Sequence, residues 1–313
     1  MDRKYIIVIA AIALVVFVGA AYLYYTSTIP TAPTRLILST TTSTVDTGLL
    51  SYLKPYFDAK FNANLTWLSL GTGAAMTTAA RGDADVLLVH DRVREDAFVA
   101  SGNGTLRVTV MYNDFVIIGP ASDPAGVAGE NASLAMINIA AAGGLGNALF
   151  VSRTDGSGTH ALEQRLWTAA GVTGYVNQSW YWSANSGMAA TIRVANEKAA
   201  YTITDRGTYL KLKAEMNETL SLGILCEGDS ALLNPYGMIL LNSTRYPNIR
   251  SDLAQKFLLF MISTQGQQLV ANYTVNGQQL FFPVYGNPES IGLPSENSTV
   301  TYLNGLLTAN GMK

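Results

Sequence analysis

The chain opens on an apolar run. Tyr5 to Tyr25 of "MDRKYIIVIAAIALVVFVGAAYLYY" carry no charge, and Arg3 and Lys4 stand just before them. About 20 apolar residues suffice to cross a bilayer as a helix. Positive charge ahead of them keeps the N-terminus in the cytoplasm and places the rest of the chain outside. The "GAAYLYYTST" that closes the run offers only a weak cleavage site and no cysteine for a lipid, so residues 1–25 read as an uncleaved signal anchor. The Thr/Ser/Pro-rich "TSTIPTAPT" of 26–34 reads as a short extended stalk.

Beyond the stalk, strand-like and helix-like patterns alternate. "RLILST" is a short apolar run, and Leu49, Leu50, Leu53, Tyr56, Phe57 and Phe61 then recur at helical spacing. "ANLTWLSLG", "AAMTTAARG" and "ADVLLVH" read as strand, helix and buried strand, the βαβ rhythm of a parallel α/β sheet. "LRVTVMYNDFVIIGPAS" is a long strand passage stopped at Pro120. The alternation restarts near Ser133, with helices predicted over 134–142, 159–170 and 187–198 and strands at "ALFVS" and "AYTIT". The helix "RGTYLKLKAEM" and the strands "LSLGILCEG" and "PYGMILLN" come next, then one long amphipathic helix over 251–272. The Gly-, Ser- and Asn-rich tail past Pro283 reads as a surface wrap. Two α/β units, with a later segment able to rejoin the first, suggest two hinged lobes: 35–118 with 230–313, and 119–229.

Composition narrows the chemistry. Only 13% of the 313 residues are charged and the net charge is −2, which gives nucleic acid or an anionic membrane surface no reason to bind. One cysteine and two histidines cannot build an ordinary zinc or iron–sulfur site, and a single cysteine makes no internal disulfide. Any anion site must be local. N-x-[ST] occurs at Asn64, Asn103, Asn131, Asn177, Asn217, Asn242, Asn272 and Asn297. That is about twice the chance expectation, and it agrees with an external, glycosylated domain.

Three segments share one design, a strand end followed by small donor-rich residues and a helix: "STTTSTVDTG", "LGTGAA" and "SRTDGSGTH". Ligands of open α/β sheets bind at strand ends. Helix starts leave backbone N–H groups unpaired and carry partial positive charge. Thr41, Thr42, Ser43, Thr72, Ser157 and Thr159 add hydroxyls, and Arg153 adds one full charge. Together they point to an oxyanion clamp between lobes, although each Ser or Thr alone is an ordinary helix cap. A competing reading makes Ser157 a nucleophile and His160 its base, in a surface hydrolase or sensor. Against it, "DGSGT" lacks the glycine two residues before the serine of a nucleophile elbow. A local Ser–His pair also lacks a distant orienting acid. Neither a P-loop nor a dinucleotide fingerprint is present.

"LILSTTTSTVDTGLL", "GTGAA", "RGDADVLLVH", "MYNDFVIIGPASDPAG", "SRTDGSGTH", "NEKAAYTITDRGTYL", "EGDSALLNPYGMI" and "QGQQLV" occur in that order from Leu36 onward. In this the chain resembles the tungstate-binding proteins of ABC transporters. The resemblance implies a type II periplasmic-binding-protein fold, two α/β lobes joined by a two-crossover hinge and closing on an oxyanion. It also implies an ABC permease with a cytoplasmic ATPase as partner, no catalysis, no cofactor and no free metal ion. By the same resemblance the oxyanion contacts fall on Thr40, Thr41, Thr42 and Ser43, on Arg153, and on Ser157, Gly158 and Thr159. Thr72 and Gly73 follow by position, and Thr204, ending "YTIT", is a further candidate beside its reading as a cap. "WSANSGMAAT" departs from the family's more glycine-rich pattern, so no contact is assigned to Gly187 or Met188. The residues alone do not separate tungstate from molybdate. Phosphate stays open through Asp155 and Asp46, since a protonated phosphate needs one acceptor.

Overall fold

The computed structural model describes residues 14–20, 32–275 and 277–312. Most of the anchor reading over 1–25 and residues 26–31 of the stalk lie outside them. Residues 14–20 are helical (α1), with Leu14, Val15, Val16, Phe17 and Val18 all exposed. Among the described residues no helix is long and apolar enough to cross a membrane.

Twelve strands are described: β1 (Thr34–Thr41), β2 (Ala63–Leu70), β3 (Val86–Val89), β4 (Gly104–Pro120), β5 (Phe150–Ser152), β6 (Tyr181–Ser183), β7 (Thr202–Asp205), β8 (Leu222–Cys226), β9 (Leu233–Leu241), β10 (Thr274–Val275), β11 (Gln278–Gln279) and β12 (Phe282–Pro283). The helices after α1 are α2 (Thr42–Asp46), α3 (Leu49–Phe61), α4 (Thr72–Ala80), α5 (Arg92–Ala100), α6 (Ala132–Gly144), α7 (Gly158–Ala169), α8 (Met188–Glu197), α9 (Arg206–Met216), α10 (Ser251–Ile262), α11 (Thr264–Asn272) and α12 (Asn297–Ala309).

The main sheet runs β12-β4-β9-β3-β1-β2. β1 lies parallel to β2 and β3, the βαβ arrangement that the apolar rhythm predicts, and β9 closes antiparallel on β3 and β4. The 17-residue β4 serves two layers. It pairs with β9 as far as Asp114, and from Phe115 with β7 and β8. β5 is parallel to β6 and bridges Tyr201 just before β7. The chain returns from β8 to β9 through the short turn Ser230–Leu232.

Alternation in β4 separates two cores, because successive side chains of a strand face opposite sides. Phe115 and Ile117 join Phe150, Trp167, Trp180 and Tyr201. Val116 and Ile118 join Met188, Ile192 and Leu222. A larger core packs Leu36, Leu38, Val86 and Leu88 of the first strands on Phe57, Phe257 and Phe260. All the parallel strand ends of β1, β2 and β3, together with the end of β5, lead into loops that meet where β4 passes between these cores.

Two expectations fail. The helix over 251–272 is broken at Ser263, whose backbone is extended (ψ 160°) and whose hydroxyl accepts from the Gly266 N–H to start α11. Apolar periodicity continues through such a break, so it does not reveal it. The tail is no surface wrap either: α12 buries Leu303 and Leu307, and Glu296 before it is 7% exposed.

Candidate functional site

The site is assembled from loop residues at strand ends. At the exit of β1, Thr41 precedes α2 without giving its side chain to the helix start. The Thr41 and Ser43 hydroxyls lie 3.2 Å apart, and Ser43 Oγ lies 2.9 Å from the Tyr236 hydroxyl of β9. Thr40 faces the sheet instead, donating to the Leu88 carbonyl at 2.8 Å. Thr42 is half-buried. At the exit of β2, Gly71 leaves the start of α4 equally uncapped. Thr72 there is fully buried and accepts the Gly158 N–H at 3.1 Å, while Gly73 faces the Gly156 carbonyl. The β2 loop and the loop after β5 are therefore in direct contact. Arg94 of α5 adds a second link by donating to the Gly156 carbonyl at 2.9 Å.

The loop after β5 holds the cation. Arg153 is 5% exposed. Its Nε and Nη2 donate to Asp155 Oδ2 at 3.1 and 2.6 Å, and Nη1 reaches Thr159 Oγ1 at 3.3 Å. Burial works against the Asp155 charge, but Arg153 and Ser157 outweigh it and hold the carboxyl below its ordinary range. Asp155 is thus committed to Arg153 and to the Ser157 N–H, which it accepts at 3.1 Å. Asp46 behaves differently. Burial raises it, against the pull of Lys211 and Arg153.

Ser157 caps α7 by accepting the backbone N–H of His160, and the His160 ring accepts from the Gly156 N–H through Nδ1 at 3.2 Å. The two residues serve as cap and loop brace, and the ring nitrogen is not directed at the serine hydroxyl as a general base must be. Thr204 lies at the end of β7, fully buried, with its hydroxyl given to the Asp205 carbonyl at 3.0 Å. Asp205 caps α9 and faces Arg153.

Several residues here escape the sequence reading. His90, directly after β3, packs its ring 4.9 Å from that of Tyr236 and has its edge against Gly158, where a Cβ would come within 2.6 Å of Cε1. Asn234 donates to Asn113 at 2.6 Å beside Tyr236. The strand-end rule that picks out "STTT" applies equally to "VLLVH", and it would have found His90. Below Arg153 lies Glu163, 3% exposed, which accepts from Ser152 Oγ, Tyr181 Oη and Trp167 Nε1 at 2.5, 2.7 and 3.1 Å. Ser152 in turn accepts the N–H of Thr154, whose φ of 46° is unusual for a β-branched residue. Arg153 is thus held between a pinned neighbour and a strained one. Among the described residues no group of His, Cys, Asp and Glu is arranged to hold a metal ion.

Burial pushes the Glu163 carboxyl up to about 7 from its ordinary 4.5, despite its three donors. A raised folded-state value means the folded protein binds the extra proton. The stability this gives is complete below the unfolded value and is lost as pH rises through the folded one. Glu163→Gln removes the titration. Denaturant unfolding from about pH 5 to about pH 8 should show the variant gaining on the parent by up to about 2–3 kcal/mol. Parallel curves across that range would refute a raised Glu163.

The chain matches the PBP superfamily domain over residues 28–265. A putative ABC transporter anion-binding protein of Haloferax volcanii is 48% identical over 80% of this chain and 72% of its own length. The tungstate-binding protein TupA of Peptoclostridium acidaminophilum is 41% identical, covering 79% of this chain and 85% of that protein. Among solved structures, the tungstate-binding protein TupA from Desulfovibrio alaskensis G20 superposes with a TM-score of 0.71 at 44% identity. The match covers 80% of this chain and 99% of that one.

Proposed function

The chain belongs to the PBP superfamily and, within it, to the family of tungstate-binding proteins, and from that membership we propose that it captures tungstate outside the cell for an ABC permease driven by a cytoplasmic ATPase. One observation carries the ligand reading: a single buried arginine stands among hydroxyls and uncapped helix starts at the meeting point of the strand-end loops. Tungstate is a tetrahedral dianion whose metal is already enclosed by four oxygens, so the protein has only oxygens to hold. It needs donors on every side and no acceptor facing it. Thr41, Thr42, Ser43, Thr72, Gly73, Arg153, Ser157, Gly158, Thr159 and Thr204 are the proposed contacts. Of the two acceptors that a protonated phosphate could use, Asp155 is already taken by Arg153 and Ser157, which leaves Asp46 alone to favour phosphate.

Two lobes, 35–118 with 230–313 and 119–229, are the proposed moving parts, and the shared strand β4 and the return into β9 support that division. The exposed apolar stretch Leu14 to Val18 supports an N-terminal membrane anchor. Asn64, Asn131, Asn177, Asn217, Asn272 and Asn297 are exposed and Asn103 and Asn242 half-buried, which supports glycosylation of the external domain.

Calorimetric titration of the full chain with tungstate, molybdate, sulfate and phosphate in one buffer tests the ligand. Tungstate is expected to bind at least about 100-fold tighter than sulfate or phosphate, a gap of about 2.8 kcal/mol. Equal affinity for sulfate, or no heat from tungstate on folded protein, would overturn the reading.

A further inference from the structure

His90 sits in the proposed oxyanion site with one face of its chemistry unused. The residue is 8% exposed, and its Nδ1 is buried with no hydrogen-bond partner. Buried polar atoms are rarely left so. The orphan atom is not turned into the apolar core. A Cβ placed on Gly158 would lie 2.9 Å from Nδ1 and 3.0 Å from Thr72 Oγ1. The ring edge therefore faces the first residue of α7 beside two of the proposed oxyanion contacts. Asn234 is within hydrogen-bonding reach of the ring, on the β9 side where Tyr236 also packs.

The charges around the ring explain its state without ligand. Burial and the positive Arg153 hold the imidazole down to about 4, with Arg165 acting in the same direction and Asn234 and the residue's own backbone against it. From β4 the neighbour is Phe115, 6.0 Å away between ring centres. Asp46 and Asp205 face Arg153, and Asp91, next in the chain, is engaged with Arg94 of α5. Without ligand the imidazole is neutral, and its Nδ1 is without a hydrogen-bond partner beside Gly158 and Thr72.

A dianion entering there changes the balance. It brings two negative charges against the single positive Arg153, and a bare nitrogen lone pair would repel its oxygens. We propose that His90 is a further anion-binding residue, and that capture of the dianion draws one proton from solvent onto Nδ1, so that the imidazolium donates to an anion oxygen. One N–H bond forms and none in the protein breaks. The other ring nitrogen keeps its proton. This inference rests on the oxyanion-binding reading and assigns that site a second cation, present only when it is filled.

The test is titration of the full chain with sodium tungstate at about pH 7 in buffers of differing ionisation enthalpy. The buffer dependence of the heat counts the protons. Uptake approaching one proton per tungstate is expected, with affinity falling up to about tenfold per pH unit from about pH 7 to about pH 9. In His90→Gln both effects should vanish, and affinity at about pH 7 should fall by about tenfold or more. With only two histidines in the chain, the Cε1–H resonances of the unaltered protein give a readout that needs no variant. The signal absent from His90→Gln spectra should move to its imidazolium position when tungstate is added. Tight binding with no proton uptake and an unmoved signal overturns the role of His90 and leaves the binding reading standing. No binding of tungstate at all overturns both.

Discussion

Arg153→Met should abolish tight capture of tungstate, lowering its affinity by about 100- to 1000-fold, while leaving the protein folded. The guanidinium is the full positive charge of the proposed site and is nearly out of contact with water. A hydrogen bond to a charged partner contributes about 1.5–3 kcal/mol, and a fork makes two. Truncating one member of a buried charge pair costs about 2–5 kcal/mol, and the stated fold-change, about 2.8–4.2 kcal/mol at about 1.4 kcal/mol per decade, falls inside that range. Losing the Arg153–Asp155 pair lowers stability, but the elements on either side keep other supports. Ser157 caps α7, and Ser152 remains bound to Glu163. Arg153→Lys should fall between, since an ammonium keeps the charge but loses the planar fork. Calorimetry gives the dissociation constants, and thermal unfolding without ligand checks the fold. A dissociation constant within threefold of the parent would remove Arg153 from the site.

Much of this arrangement was legible in the chain. Parallel β1, β2 and β3 follow from apolar runs separated by helical spacing, and the end of β5 from "ALFVS" running into "SRTDGSGTH". The loop after β5 is readable because its small residues act locally, Ser157 on the N–H three residues along and Asp155 on its neighbours. What stayed hidden depends on partners far along the chain. Nothing near Glu163 tells that it holds Ser152, 11 residues earlier, beneath the site arginine. His90 looks like the last residue of a buried strand, and Gly158 and Tyr236, its close neighbours, come from two other elements. The break at Ser263 was hidden for another reason. A serine within an apolar period reads as a solvent position, and only its extended backbone makes it a cap.

Arg107→Met is expected to be the most damaging change outside the site. Arg107 lies between two buried carboxylates. Its Nη2 is 2.7 Å and its Nε 2.8 Å from Glu95 Oε2, and its Nη1 contacts Glu296 Oε1 and the Thr109 hydroxyl. Glu296 also accepts the Thr109 N–H at 2.8 Å, so the segment before α12 is fastened to β4 through a single residue 187 positions away. Gly237 makes room, since a Cβ there would come within 2.0 Å of Glu95 Oε2. Burial already holds Glu95 up at about 7 with Arg107 pulling it down. Without the cation Glu95 becomes harder to ionise, and Glu296 loses its buried partner. Removing one partner of a buried pair costs about 3–5 kcal/mol, which for a chain of this size lowers the melting temperature by about 5–10 °C. The sign with pH comes from the raised Glu95 value. Its stabilising contribution is present while that carboxyl is protonated and is lost as pH rises through the folded-state value, so the variant's deficit should widen from about pH 5 to about pH 8. Tungstate affinity of the folded fraction should change by less than about threefold, because neither Glu95 nor Glu296 bonds to the loop of Arg153, and Glu95 comes no nearer than the Asp91 N–H, which it accepts at 2.8 Å. Replacing the triad together, as Glu95→Leu with Arg107→Met and Glu296→Leu, should recover most of the loss, since it leaves no charge without a partner. A single variant as stable as the parent at about pH 8 would show that apolar packing of Leu303 and Leu307, rather than this ion cluster, fastens α12.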